Sequence, residues 1–365
     1  MKELQEILKK ISALPDEKAV LATVVDVRGS SYRRAGARML IGAGGETIGT
    51  VSGGCLESDV LERAKKVLRT GEPEVFTYDT TAAEDSVFSL NMGCRGVIRI
   101  LLEPARANEI FEFLQHCAAS RKSCVVATLI AKSENFSLPV GAKILFSSEK
   151  DSGRETNPII KDVAADAAQA LANNRKFSKV YEADAETAEF FIESINPPVN
   201  LLLFGAGYDA IPLVAFAKEL GWRVTLIDHR AAWANAERFP DGDEIIISRA
   251  ENLDENLFKD ENSVAVLMTH NYEADREILS RLLDSSCRYI GALGPKKRTE
   301  NLIEELRRAG KSFDESRLNR LYAPIGLDIG SETPEEIALA IIAEIRSVLS
   351  NREGGFLRSR RGGIH

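Results

Sequence analysis

Apolar and polar positions follow two periods along this chain, and the way the periods alternate changes near residue 196. At the amino end Leu4, Ile7, Leu8 and Ile11 recur at helical spacing among charged residues, which predicts an amphipathic helix. A strand is predicted over 19–26. The polar, glycine-bounded loop 28–36 leads to a returning strand over 37–41, and the Gly42–Gly45 turn to another over 47–51. A helix over 56–68 stops at Thr70-Gly71-Glu72-Pro73. Strands are predicted over 75–78 and 97–102, a helix over 110–117, a strand pair over 124–131 and 143–146, a helix over 159–173 and a strand over 189–195. Strands and helices so mixed indicate an α+β domain.

Asn196-Pro197-Pro198 reads as a linker, and beyond it strands and helices alternate regularly. Leu201 to Phe204 is apolar throughout, as in a strand buried on both faces. Gly205, Gly207 and Ala210 follow in G-x-G-x-x-A spacing, opening a helix that Gly221 ends. A second strand, 222–227, finishes at Asp228. Glycines there permit a tight turn and a close approach of phosphate to the first amides of the helix. An acid about 20 residues on is placed to accept from a ribose hydroxyl. Arg230 is close enough to meet a phosphate instead, and Asp209 puts a carboxylate where an anion would sit. Further strands are predicted over 244–247, 263–270 and 287–291, with helices over 273–283 and 297–309. Thr333-Pro334-Glu335-Glu336 carries the marks of a capped helix start.

The fold class is therefore α/β: a C-terminal Rossmann-like doubly wound parallel sheet over 196–350, joined to an N-terminal mixed α+β domain over 1–195. The glycine- and arginine-rich stretch 351–365 is expected to be a disordered tail. At 365 residues the chain is long enough for two cores. A net charge of −8 argues against nucleic acid as a partner. No apolar run reaches the ~20 residues needed to span a membrane. Five cysteines without regular spacing suit a reducing cytoplasm better than a disulfide framework, so a cytoplasmic location is expected.

Candidate chemistry falls in both halves. In Ser52-Gly53-Gly54-Cys55-Leu56-Glu57 a thiol follows two glycines at a helix start. There the amides and the dipole would lower its pKa, and the glycines would let a second molecule approach. Cys94, beside Arg95 in Met92-Gly93-Cys94-Arg95-Gly96, has a similar setting, and the two thiols are expected near one another. Packing is the alternative for both, and is the reading for Cys117, Cys124 and Cys287, which lie inside apolar runs. Two thiols do not close a tetrahedral zinc site, so no metal of the protein's own is expected. Arg28, Arg33, Arg34 and Arg38 surround a glycine-serine loop, as an anion-binding rim or a solvated hairpin. In the second half, His270 is expected at a strand end where ligands bind, and Lys296, Lys297 and Arg298 follow Gly291 and Gly294 at a helix start, where a phosphate contact would explain cations against the dipole.

These stretches resemble the XdhC/CoxI family. Gly29 to Leu40, Ser52 to Glu57 and Met92-Gly93-Cys94 are similar to its amino-terminal domain. Phe204 to Gly207, Val224 to Arg230, Met268-Thr269-His270, Tyr289 to Gly291 and Pro324 to Ile337 are similar to its Rossmann domain. The resemblance covers nearly the full length and carries little over 105–185. Tyr208 stands where the family usually has histidine, and Arg95 where it often has glycine. It implies a xanthine dehydrogenase accessory protein that binds molybdenum cofactor, as molybdopterin or its dinucleotide form, and assists its sulfuration and its insertion into a molybdenum hydroxylase. A cofactor sulfurase would be a second partner, and a homodimer is expected. On this reading Cys55, Cys94 and His270 are the reactive residues, and Gly53, Gly54, Gly205, Gly207, Asp228, Arg230, Lys296, Arg298, Arg33 and Arg38 hold the cofactor. An NAD(P)-dependent oxidoreductase with His270 as acid and base, or a scaffold without a ligand, are the alternatives.

Overall fold

The computed structural model describes residues 2–13, 19–79, 96–106, 109–147 and 157–361. The chain forms two compact units that meet in sequence between Pro197 and Pro198, within the predicted linker.

The first unit contains α1 (Lys2–Ala13), β1 (Ala19–Gly29), β2 (Arg38–Gly42), β3 (Thr47–Gly49), α2 (Glu57–Thr70), β4 (Glu74–Asp79) and β5 (Gly96–Ala105). It continues with α3 (Glu109–Ala119), β6 (Cys124–Lys132), β7 (Lys143–Ser147), α4 (Pro158–Asn173), β8 (Lys176–Ala183) and β9 (Glu186–Ile195). Two antiparallel sheets result, ordered β3-β2-β1-β5-β4 and β7-β6-β9-β8. The helix α2 buries Val60, Ala64 and Val67 against Val20, Ala22 and Val24 of β1, the one-sided burial that helix period and strand alternation dictate. The helix α4 covers the other sheet through Ile159, Ile160 and Val163. Ion pairs also join the sheets: Arg38 of β2 to Glu193 of β9, Arg99 of β5 to Glu189 of β9 (2.6 Å), and Lys143 of β7 to Glu103 of β5.

Strand β8 is absent from the sequence prediction. Its hairpin to β9 turns at Asp184 and Ala185, both in the left-handed region (φ 50° and 64°). Glycine at the second position would have announced such a turn, and alanine conceals it.

The second unit contains β10 (Asn200–Phe204), α5 (Ala210–Glu219), β11 (Arg223–Asp228), β12 (Glu244–Ile247), β13 (Ser263–Leu267) and α6 (Tyr272–Asp284). Then follow β14 (Tyr289–Ala292), α7 (Lys296–Arg308), α8 (Glu315–Leu318), β15 (Leu321–Tyr322) and α9 (Pro334–Leu349). Six parallel strands run in the order β12-β11-β10-β13-β14-β15. Both faces are covered. Leu201 and Leu203 pack towards α5 and α9, while Leu202 and Phe204 pack towards α6 and α7. The strand order reverses direction between β10 and β13, which opens a crevice at their carboxyl ends. Thr333 and Glu336 form the predicted capping box of α9. In the stretch expected to be disordered, Arg352 N–H donates to the Ser347 carbonyl (2.9 Å) and Leu357–Ser359 makes one 3₁₀ turn. The residues around that turn remain exposed.

Candidate functional site

In the first unit the chain between β3 and α2 presents Cys55 on the surface. The loop is rigid because its polar groups close on themselves. Ser52 Oγ accepts from Gly54 N–H and Leu56 N–H (both 3.1 Å) and donates to Glu57, while Ser52 N–H donates to Glu57 Oε1 (2.8 Å). Thr50 Oγ1 also donates to Glu57. Burial opposes charge on Glu57, yet these hydrogen bonds outweigh it and lower the carboxyl's pKa. The amides that the sequence reading aims at the thiol are thus directed at Ser52 and Glu57 instead. What the loop supplies to Cys55 is exposure and a fixed position, with the thiol 3.6 Å from Ser52 Oγ.

Gly54 has φ +107° with open space around it, so a second molecule meets no side chain there. A Cβ on Gly53 would lie 3.3 Å from the ring of Tyr32, which brings the arginine-bearing loop against the thiol loop. Arg33 and Arg38, two of the four arginines around that loop, are taken up by carboxylates. Arg33 pairs with Glu3 (2.5 Å), and Arg38 lies between Glu193 and the Gly36 carbonyl. Burial alone would lower the pKa of Arg38; the Glu193 carboxylate outweighs it and raises it. Cys94 lies outside the described residues.

In the second unit the turn after β10 is built on two glycines with different reasons. Gly205 (φ +112°) is required by the neighbouring strand, since a Cβ would sit 2.3 Å from the Met268 carbonyl oxygen. Gly207 faces the crevice, where a Cβ would meet His270 Nε2 at 3.8 Å in ordinary contact. His270 lies three residues beyond the end of β13 rather than within it, because its backbone is left-handed (φ +58°). Its imidazole is exposed, 3.8 Å from the carboxylate of Asp209. The two flank the switch point from opposite loops.

Asp228 does not have the free carboxylate a ribose acceptor needs. Its Oδ2 accepts from Ala206 N–H (2.8 Å) and Arg230 Nη2 (2.7 Å), its Oδ1 from Arg230 N–H (2.9 Å) and Nε (3.0 Å). Burial would raise its pKa, but the Arg230 side chain and these amides hold it down at about 2. A ribose hydroxyl would have to displace Arg230. Arg298 is likewise engaged: its Nη2 donates to buried Asp275 (2.7 Å), whose other oxygen accepts from Thr269 Oγ1 (2.6 Å). This bridge ties α7 to the loop that carries His270. Lys296 stays exposed at the start of α7. On the α6 face of the sheet, a small cleft opens between Phe204, Ile227 and Leu253, with Asp228, Ser248 and Asn271 as polar groups.

Arg238 escapes the sequence reading. It lies ten residues after β11 in an irregular stretch, yet its Nη1 donates to the Ala206 carbonyl (2.9 Å). The middle residue of the glycine turn, Ala206, is therefore held on both sides, by Asp228 at its N–H and by Arg238 at its carbonyl. No sequence signal marks this contact, which spans 32 positions.

A six-stranded parallel sheet with a glycine turn at its switch point, preceded by an α+β unit with an exposed thiol loop, defines a two-unit protein whose second unit is of Rossmann type. The sequence matches the XdhC Rossmann domain over residues 201–345 and the XdhC and CoxI family over 14–79. The chain belongs to the XdhC and CoxI family. It is 32% identical over 333 residues to a probable xanthine dehydrogenase subunit of Bacillus subtilis, covering 90% of this chain and 92% of that protein. It is 21% identical to the molybdenum cofactor insertion chaperone PaoD of Escherichia coli, covering 92% and 85%. A crystal structure of a xanthine dehydrogenase from Bacillus halodurans is similar with a TM-score of 0.74 and 29% identity, covering 99% of this chain and 98% of that one. No helix among the described residues is long and apolar enough to cross a membrane.

Proposed function

We propose that this chain is a xanthine dehydrogenase accessory protein. It takes molybdenum cofactor as cargo, as molybdopterin or its dinucleotide form, assists its sulfuration together with a cofactor sulfurase, and passes it to a molybdenum hydroxylase in the cytoplasm, working as a homodimer. The observation that carries the reading is the exposed Cys55 thiol, fixed by the Ser52–Glu57 network beside the open face of Gly54. Thiolate is a soft ligand suited to a sulfur-bound metal centre, and the open glycine leaves room for it. The likeness to a cofactor insertion chaperone supports the same role.

The test is retention. Cys55→Ser, purified under reducing conditions after cofactor loading, should lose most of its molybdenum and pterin. Its melting temperature should stay within about 2 °C of the parent, since an exposed thiol contributes little to packing. Full retention by the variant would refute the assignment of Cys55.

A second reading, an NAD(P)-dependent oxidoreductase, draws on His270 beside Asp209 at the switch point. The filled acceptor positions of Asp228 weigh against it.

A further inference from the structure

Beside the glycine turn stands a cluster that neither the glycine fingerprint nor the thiol loop explains. The exposed ring of Tyr208 meets Trp233 edge-on, with centroids 5.7 Å apart. The guanidinium of Arg238 lies against both rings, 5.2 Å from the centroid of Tyr208 and 4.7 Å from that of Trp233. Arg230, paired with Asp228, lies over Trp233 as well, at 4.8 Å. Arg238 Nη1 donates to two carbonyls, Ala206 and Trp233 (2.9 and 3.0 Å). Its Nη2 is buried and has no hydrogen-bond partner among the described residues.

A buried charged donor without an acceptor is costly and uncommon, and aromatic faces offset only part of the cost. The neighbouring cations are not in this state. Arg230 and Arg298 each have a carboxylate, whereas Arg238 has only carbonyls among the described residues and no carboxylate to balance its charge. Its point of attachment is the middle of the glycine turn, where this fold class brings ligand phosphates. Above it lies a tyrosine ring that is 71% exposed and free to change rotamer.

We propose that Arg238 is a phosphoryl anchor of the second unit, covered by the ring of Tyr208 until a ligand arrives. When Tyr208 turns aside, Nη2 takes a phosphoryl oxygen in a charge-assisted hydrogen bond while Nη1 keeps the turn in place. The ligand class is a phosphate monoester or a pyrophosphate attached to a larger molecule. This deepens the cofactor-binding reading and rests on it.

Trp233 touches both moving parts and serves as the reporter. The full chain is titrated with inorganic pyrophosphate and with AMP, following tryptophan fluorescence and heat. At least one probe should bind the parent: pyrophosphate points to a dinucleotide bridge as the natural source, AMP to a terminal phosphate. Arg238→Gln keeps a donor for the Ala206 carbonyl but no charge, and should bind about tenfold more weakly than Arg238→Lys, which keeps the charge. Tyr208→Ala removes the cover and should tighten binding about two- to fivefold, the range set by losing one exposed cation–π contact. Tyr208→Phe keeps the ring and should match the parent.

Equal affinities in the Gln and Lys variants would reduce Arg238 to a support for the turn and overturn the proposal. So would weaker or unchanged binding in Tyr208→Ala, or no binding of either probe to the parent at millimolar concentration. If the Arg238 variants fail to fold, the two tyrosine variants decide alone. Molybdenum and pterin retention by the same parent protein is measured separately, so failure of the anchor leaves the accessory role standing, while failure of retention removes the cofactor as the anchor's ligand and leaves the phosphate titration to be read on its own.

Discussion

At the scale of single residues, the carboxylate of Asp228 is a structural pin before it is anything else. It holds Ala206 N–H on one side and Arg230 on the other, and its side chain is almost wholly buried. Its folded pKa of about 2 lies below the ordinary 3.8, so the stabilisation is present in full above the ordinary carboxylate range. That contribution is lost as pH falls from about 4 to about 2. A shift of this size corresponds to roughly 2 kcal/mol. Asp228→Asn should therefore lower the unfolding free energy in urea by about 2 kcal/mol at pH 7, and the gap to the parent should close towards pH 2. A gap that does not change with pH would mean that shape rather than charge is what the site requires.

At the scale of elements, the arginines of the first unit belong to its construction. Arg38 and Glu193 join the two sheets across 155 positions, with Glu193 only 2% exposed and Lys176 as its second partner (2.6 Å). Burial raises the pKa of Glu193, but Arg38 and Lys176 outweigh it and lower it. Such a pair is costly to break from one side and far cheaper to replace from both. Glu193→Ala should cost about 3–5 kcal/mol in chemical denaturation, because it leaves the buried Arg38 charge without its carboxylate. Combining Arg38→Met with Glu193→Leu should recover most of that loss. A double variant as unstable as the single one would show that the pair does more than neutralise itself.

At the scale of the whole molecule, an accessory protein and an oxidoreductase differ in what they do alone. The described residues form one Rossmann unit, and Asp228, the acid at the end of its second strand, is engaged internally. Incubated with xanthine and NAD, the purified chain should make no NADH. Loaded with molybdenum cofactor and added to a separately made apo-hydroxylase, it should raise that enzyme's activity several-fold above free cofactor. Steady NADH formation by the chain alone, abolished by His270→Ala, would install the oxidoreductase in place of the accessory protein.

The sequence by itself determined what local geometry controls. The change of period near residue 196, the G-x-G-x-x-A turn and the Thr333 capping box each follow from interactions within a few positions, and the two sheets of the first unit and the parallel sheet of the second formed around them. The exposure of Cys55 was foreshadowed in the same way by the glycines before it. Strand β8 was hidden because Ala185 occupies a left-handed turn position without the glycine that would reveal it. Only the tertiary structure decided which charges are available to a ligand. Arg33, Arg38, Arg298 and Asp228 look alike in sequence to binding residues, but folding brings each a partner, from Arg230 two positions from Asp228 to Glu193 155 positions from Arg38. Arg238 is the converse: without any motif, it ends beside the glycine turn with one donor unmatched among the described residues. A residue's type sets the charge it carries, and whether that charge is neutralised depends on contacts that close only when distant segments meet.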